Sequence, residues 1–248
     1  MLFRSAVRAR PGEAKLRVAL FQLLSVLGQW DRALNQLRVA GELDASTLLM
    51  VQTYEAALRS EKLRAEVFAG RRQPLVLGEP EDWIARLLQA LPLDADGQPA
   101  AAAALRESAL ADAQARAGQI DGAAFEWIAD ADERLGPCLE LIVNGAYWWV
   151  PFERIAELKA EAPSDLRDLV WAPVQLTWTN GGQAVGLVPV RYAGTEAEAD
   201  DALRLARRTE WREHPGGVRG IGQRMLATDD DVHPLLGLRA LQLQAVEA

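Results

Sequence analysis

The residues best suited to covalent chemistry are one cysteine, Cys138, and two histidines, His214 and His233. A thiol beside an imidazole makes a nucleophile and base pair. Cys138, however, sits between Pro137 and Leu139 in an apolar run, so it reads as a buried structural thiol. Two histidines and one cysteine are too few for a zinc site. Asp130, Asp132 and Glu133 follow Trp127-Ile128. Such a cluster can hold a hard cation or act as an acid and base pair. Capping a turn and pairing with Arg134 or Arg154 is the reading favoured here. Asp229-Asp230-Asp231 reads as a solvated loop. The run from Gly216 to Gly222 (GGVRGIG) matches neither a dinucleotide fingerprint nor a phosphate loop, and is read as part of a hairpin. Arg207, Arg208 and Arg212 surround Trp211 and would grip an anion, yet one basic patch on an acidic chain is thin support. No catalytic residue, metal or cofactor is therefore expected, and the chain is read as a non-enzyme. The rival reading is an enzyme or small-ligand binder with Asp130, Asp132 or Arg208 in a pocket.

Trp148 and Trp149 raise a different possibility, read first as contact between the chain's own two domains and second as recognition of a partner. Neighbours on a strand point to opposite faces, so one ring fills a core while the other faces out or meets another part of the chain. Trp149 is kept as a candidate partner anchor. A scaffold binding through these two rings is a third possibility.

The bulk properties narrow the field. A net charge of -8 repels a phosphate backbone, so nucleic acid is not an expected partner. Lysine occurs only at Lys15, Lys62 and Lys159, and arginine supplies the remaining positive charge. A single cysteine forms no disulfide within the chain, which fits a reducing compartment. The first residues lead into charge rather than an apolar leader, and no apolar run is long enough to span a bilayer. A cytoplasmic protein with no membrane contact is expected.

The first half must position its residues on helices. Over 13–27, Leu16, Ala19, Leu20, Leu23, Leu24 and Leu27 recur at helical spacing. Gly28 ends this helix and a second follows over 30–40, so the two pack antiparallel. Leu20, Leu24, Gly28, Trp30, Ala33, Leu37 and Ala40 fit the small and apolar positions of a tetratricopeptide repeat. Ala45 stands where proline is usual. Thirty-four residues earlier Pro11 restores it, so 1–11 reads as the tail of a preceding repeat and the chain opens inside a repeat unit. A long helix over 48–68, a loop over 70–80, a short helix over 81–91, a second loop and an alanine-rich helix over 100–117 complete this half. Repeat geometry points Lys15, Val18, Gln22 and Ser25 into a concave groove, extended by Leu49, Gln52 and Ala56. Acidic residues around that groove would select a basic helix.

The period changes near Gly118 to Gly122. Asn144-Gly145 between two apolar runs is a hairpin signal, and Asn180-Gly181-Gly182 is a second. One amphipathic helix is expected over 195–208, and strands over 219–227 and 238–243. The fold class is α+β: a TPR-like helical-repeat domain over 1–118, then an α+β domain with a mainly antiparallel sheet over 119–248.

Several segments together carry a family resemblance: RAEVFAGRRQPLVLGEP (64–80), FEWIADADERLGP (125–137), NGAYWWVPFERI (144–155), SDLRDLVWAPVQLTW (164–178), NGGQAVGLVPVRY (180–192) and ARRTEW (206–211). Through them the chain resembles the ImpE/TagJ family of bacterial type VI secretion accessory proteins. The resemblance implies a TPR-like domain joined to an α+β domain without catalytic activity. It also implies a partner, the small subunit of the contractile sheath (TssB type), bound through that subunit's N-terminal helix. A link to sheath assembly or to recycling by a ClpV-type ATPase comes with it.

Overall fold

A computed structural model of the chain describes residues 2–244, with the side chains of residues 2–4 and 6 left aside. Met1 and 245–248, which the expected domains include, lie outside the described residues.

The helical layer comprises α1 (Leu2–Ala9), α2 (Ala14–Val26), α3 (Trp30–Leu43) and α4 (Leu48–Phe68), then α5 (Asp82–Ala95) and α6 (Pro99–Asp112). A two-residue strand, β1 (Leu75–Val76), lies between α4 and α5. The α2 helix closes where its Leu27 and Gly28 amides turn back to the carbonyls of Leu23 and Ser25, with Gly28 at positive φ. The three-residue turn to α3 leaves antiparallel packing as the outcome. α5 runs through Pro92, expected to be a loop. Proline lacks an N–H, but close to a helix end this loses a single hydrogen bond, and Pro92 O still accepts from Asp96.

Beyond residue 112 the chain is built mostly from short strands: β2 (Gly118–Ile120), β3 (Ala123–Phe125), β4 (Ile128–Asp130), β5 (Cys138–Val143), β6 (Ala146–Pro151), β7 (Ile155–Ala160), β8 (Trp171–Trp178) and β9 (Gln183–Pro189). A short helix, α7 (Asp201–Arg204), precedes β10 (Thr209–His214), β11 (Gly217–Gly222), β12 (Met225–Thr228), β13 (Val232–Pro234) and β14 (Ala240–Leu243). Nine of these strands form one sheet in the order β1-β6-β5-β9-β8-β7-β14-β2-β3. It is antiparallel except where β1 joins β6, Leu75 opposite Trp148. Asn144 and Gly145, both at positive φ, make the tight turn that sets the β5–β6 register.

Two expectations fail locally. No single helix covers 195–208. A 3-10 turn at Thr195–Ala197 and the four residues of α7 stand there instead, because Glu198 is extended between them and Asp200 caps a new start by accepting the Ala202 amide. The expected strand over 219–227 is two strands, broken at Gly222 with φ 93°.

Alternation along the strands gives the large sheet two apolar faces. Cys138, Ile142, Tyr147, Trp149, Trp171 and Leu187 share one cluster with Phe21, Leu24, Leu37, Tyr54 and Leu58 of the helices. Leu139, Leu141, Val150, Leu158, Val174, Leu176 and Val188 face the other way, against Leu226, Leu235, Leu238 and Leu241. The helices thus share their core with one sheet face. Trp171 anchors it, its ring 6.0 Å from Trp30 and 5.8 Å from Tyr54. Replacing Trp171 with alanine is expected to cost about 3–5 kcal/mol, whereas Val185→Ala on the exposed part of the sheet stays within about 0.5 kcal/mol. Urea denaturation of the two variants checks both.

Candidate functional site

A wide cleft lies where the helical layer stops short of covering the sheet. Its wall is α4, contributing Leu49, Gln52, Tyr54 and Ala56, and its floor is the helix-side face of β9, β8, β7 and β14. The floor positions follow from alternation: Trp171 points to the helices, so Pro173 and Gln175 do too, and they lie open where no helix reaches. Val185 beside them is 76% exposed and Leu49 on the wall 77%. The cleft holds about 910 Å³. Leu43 and Leu48 are also exposed, at the adjoining α3–α4 corner. Single exposed apolar side chains are ordinary, but several gathered around one cleft make a candidate interaction surface.

Leu49, Gln52 and Ala56 are thus brought together in one cleft. Lys15 and Val18, on α2, do not line it; Lys15 is exposed and Val18 half-buried. Gln22, Ser25 and Trp149 are corrections, since all three are buried and take no part in an open surface. Gln22 Oε1 accepts the Leu166 amide at 3.1 Å, and Ser25 donates to Phe21 O. Trp149 meets the helical layer: its ring lies 5.9 Å from that of Phe68 and its Nε1 donates to the Tyr147 hydroxyl. Trp148, on the opposite face, packs against the second core. The charged residues lining the cleft are Lys159, Glu161 and Arg239, so the expected acidic rim is not formed.

The chemistry-bearing candidates lie elsewhere. Cys138 is wholly buried, and burial pushes its thiol well above the ordinary range. His214 is on the exposed β10 strand, and the His233 ring faces the Thr228 hydroxyl. Arg208 is shared between Asp200 and Glu210, and Arg212 between Glu198 and Glu210. Asp229 accepts the Glu126 amide, tying two loops together. Among the described residues, no group of three or more histidine, cysteine or acidic side chains is placed to hold a metal ion.

Asp130 accepts the Asp132 amide and Asp132 pairs with Arg134, the turn capping and pairing expected from the sequence, but sequence reasoning missed the wider buried network around Glu140. Glu140, in the middle of β5 and fully buried, accepts two bonds from Arg64 of α4, at 2.6 and 2.9 Å. It also accepts from Tyr147 and from Arg224. Arg224 reaches Asp130 as well, and Asp132 pairs with Arg134 and accepts the Gly220 amide. Arg191 donates to the carbonyls of Val26 and Arg204. Burial works to raise the Glu140 carboxyl, but Arg64 and Arg224 outweigh it and hold it at about 2. At Asp130 burial prevails over Arg224 and raises the carboxyl to about 6. The available signal was a single charge in the apolar run CLELIV, because a charge inside a buried strand needs a partner.

The fold defines an α+β protein whose helices share a core with one face of a mainly antiparallel sheet and leave a cleft open beside it. The comparisons with known proteins narrow this class. Residues 122–242 match the family described as ImpE protein. The type VI secretion system accessory component TagJ of Pseudomonas aeruginosa (strain PAO1) is 56% identical over 98% of this chain and 85% of its own length. The chain belongs to the ImpE/TagJ family of type VI secretion accessory proteins. A crystal structure of a Vibrio parahaemolyticus protein has the same fold, with a TM-score of 0.89 at 24% identity, covering 99% of this chain and 92% of that one.

Glu140→Ala leaves Arg64 and Arg224 without their shared counter-charge and is expected to lose about 3–5 kcal/mol near neutral pH. Glu140 is held below its ordinary value of 4.5, so its contribution is complete above that value and lost as pH falls toward 2. Glu140→Gln is therefore expected to flatten the acid limb of stability against pH between about 4.5 and 2, as read by urea unfolding at several pH values.

Proposed function

We propose that the protein is a cytoplasmic, non-catalytic adaptor of a type VI secretion system. It holds the N-terminal helix of the small sheath subunit (TssB type) and so assists sheath assembly or ClpV-linked recycling. The observation that carries this reading is the open cleft between α4 and the uncovered sheet face. A helix about 10 Å across advances 1.5 Å per residue, roughly 120 Å³ for each residue. A cleft of about 910 Å³ accommodates roughly two turns on that measure. Two turns present apolar side chains at i, i+3, i+4 and i+7, a stripe that would meet Leu49 on the wall and Val185 on the floor, both exposed.

Leu49, Gln52 and Ala56 contact the helix directly in this proposal, and Lys15 and Val18 lie on the neighbouring face of α2. Residues 1–118 are read as a TPR-like unit and 119–248 as the α+β unit that supplies the floor. Membership of the type VI secretion family supports the choice of a sheath subunit as partner. Among the described residues no helix is long and apolar enough to cross a membrane.

Calorimetric titration with a synthetic peptide of the cognate small subunit's N-terminal helix tests the proposal. Saturable binding is expected. Leu49→Asp or Val185→Asp should each weaken it about tenfold or more while leaving the fold intact, because each buries a charge where an apolar contact formed. Absence of binding to both the peptide and the intact small subunit rules the adaptor reading out.

A further inference from the structure

The three-stranded sheet β13-β12-β4 turns one face to the second core, through Ile128 and Leu226. Its other face is apolar too. Val232, Ala227 and Ala129 lie side by side across the three strands, and Pro234 sits opposite Met225. Ala131, whose amide donates to Met225 O, and Trp127, immediately before β4, extend this face by alternation. Among the described residues, none of these side chains joins either apolar core. Trp127 is 39% exposed and Val232 46%. The alanines make a shallow floor between Trp127 at one end and Val232 and Pro234 along the outer strand. Apolar side chains gathered on one open face mark an interaction surface, which singly scattered ones do not.

The rim of this face carries one sign of charge. Glu126 and Asp229 to Asp231 stand at the Trp127 end, where the Asp229 carboxylate accepts the Glu126 amide at 2.7 Å. Glu133 follows Ala131 at the other end and is exposed. Over 125–133 there is no lysine or arginine, and over 225–234 there is none either. Elsewhere exposed carboxylates are paired, as Glu198 and Glu210 are with Arg212. Glu126, Asp230, Asp231 and Glu133 form no ion pair among the described residues. A second copy of the chain would set acid against acid, and an anionic lipid or nucleic-acid surface is repelled in the same way. An added strand is disfavoured at the β13 edge, because Pro234 has no N–H to give.

We propose that this face docks a helical segment of another protein whose apolar side is flanked by lysine or arginine. The apolar side lies on the alanine floor against Trp127 and Val232, and the cations meet Asp230 and Asp231. A floor of small side chains lets a helix approach the sheet closely. The second core and the large sheet separate this face from the cleft beside α4, so both are open at once. The assignment stands apart from the sheath-helix reading.

The test uses the full chain and a synthetic helical peptide with one leucine face bordered by lysines. A counterpart carries glutamate in place of each lysine. In calorimetric titration the lysine peptide is expected to bind saturably and the glutamate peptide not to bind. The variant D230K/D231K, which leaves Asp229 to tie the loop, is expected to weaken the lysine peptide about tenfold or more. Trp127→Ala is expected to do the same by removing the apolar wall. Urea unfolding verifies that each variant is folded. The same charge change at Glu42 and Asp96, exposed on the helical layer, and Val185→Asp in the cleft are expected to leave binding within about twofold. No binding of the lysine peptide, equal binding of the two peptides, or binding that D230K/D231K leaves intact overturns the proposal. Loss of binding in Val185→Asp places the peptide in the cleft and overturns it as well. Concentration-dependent self-association that Val232→Glu abolishes names a second copy as the occupant instead. The small-subunit titration is read separately, so either assignment can fail while the other stands.

Discussion

A carboxylate buried in the middle of a sheet has no water to solvate it, and the cost of leaving it unpaired is several kcal/mol. Glu140 is in that position on β5. Its counter-charges come from two directions: Arg64 from α4 above the sheet, and Arg224 from the start of β12. Each arginine has a second partner. Arg64 also donates to the Arg191 carbonyl, and Arg224 to Asp130 and the Pro189 carbonyl. One carboxylate therefore ties together a helix and three stretches of chain far apart in sequence. Apolar burial supplies more of the driving force, but it is tolerant of sliding. An ion network with directional bonds is not, and it fixes where α4 lies across the sheet.

The position of α4 has a consequence for recognition. Held over β5 and β6 through Arg64, Phe68 and Trp149, the helix leaves the helix-side face of β9, β8, β7 and β14 uncovered. The cleft is the space left over, and Leu49 stays exposed because the sheet beneath it is open. A shift of α4 toward β8 would close the cleft and bury Leu49. The network that orders the core therefore also keeps the cleft open, without contributing an atom to it.

The family relationship is consistent with this division of labour. The buried carboxylates are spent on internal pairs, and the open surface beside them is a cleft lined largely by apolar side chains. Acid and base groups placed for turnover would need to face a cavity, and here Asp130, Asp132 and Glu140 face arginines instead.

Much of this was legible in one dimension. The α2–α3 pair, the α4 helix, the Asn144-Gly145 hairpin and the mainly antiparallel sheet follow from local periodicity and turn chemistry, which need only neighbouring residues. Leu49, Gln52 and Ala56 line one cleft because helical spacing alone puts them on one face. Gln22, Ser25 and Trp149 were misplaced because burial depends on what arrives from elsewhere: a turn 144 residues along the chain for Gln22, and α4 for Trp149. The parallel strand β1 and the broken segment over 195–208 have the same origin, since tertiary contacts and caps override short-range preference. The sequence by itself determined most of the longer elements, their amphipathic faces and the family. Only the tertiary structure decided which faces stay open, because exposure is set by long-range pairing of charges and rings that no local pattern encodes.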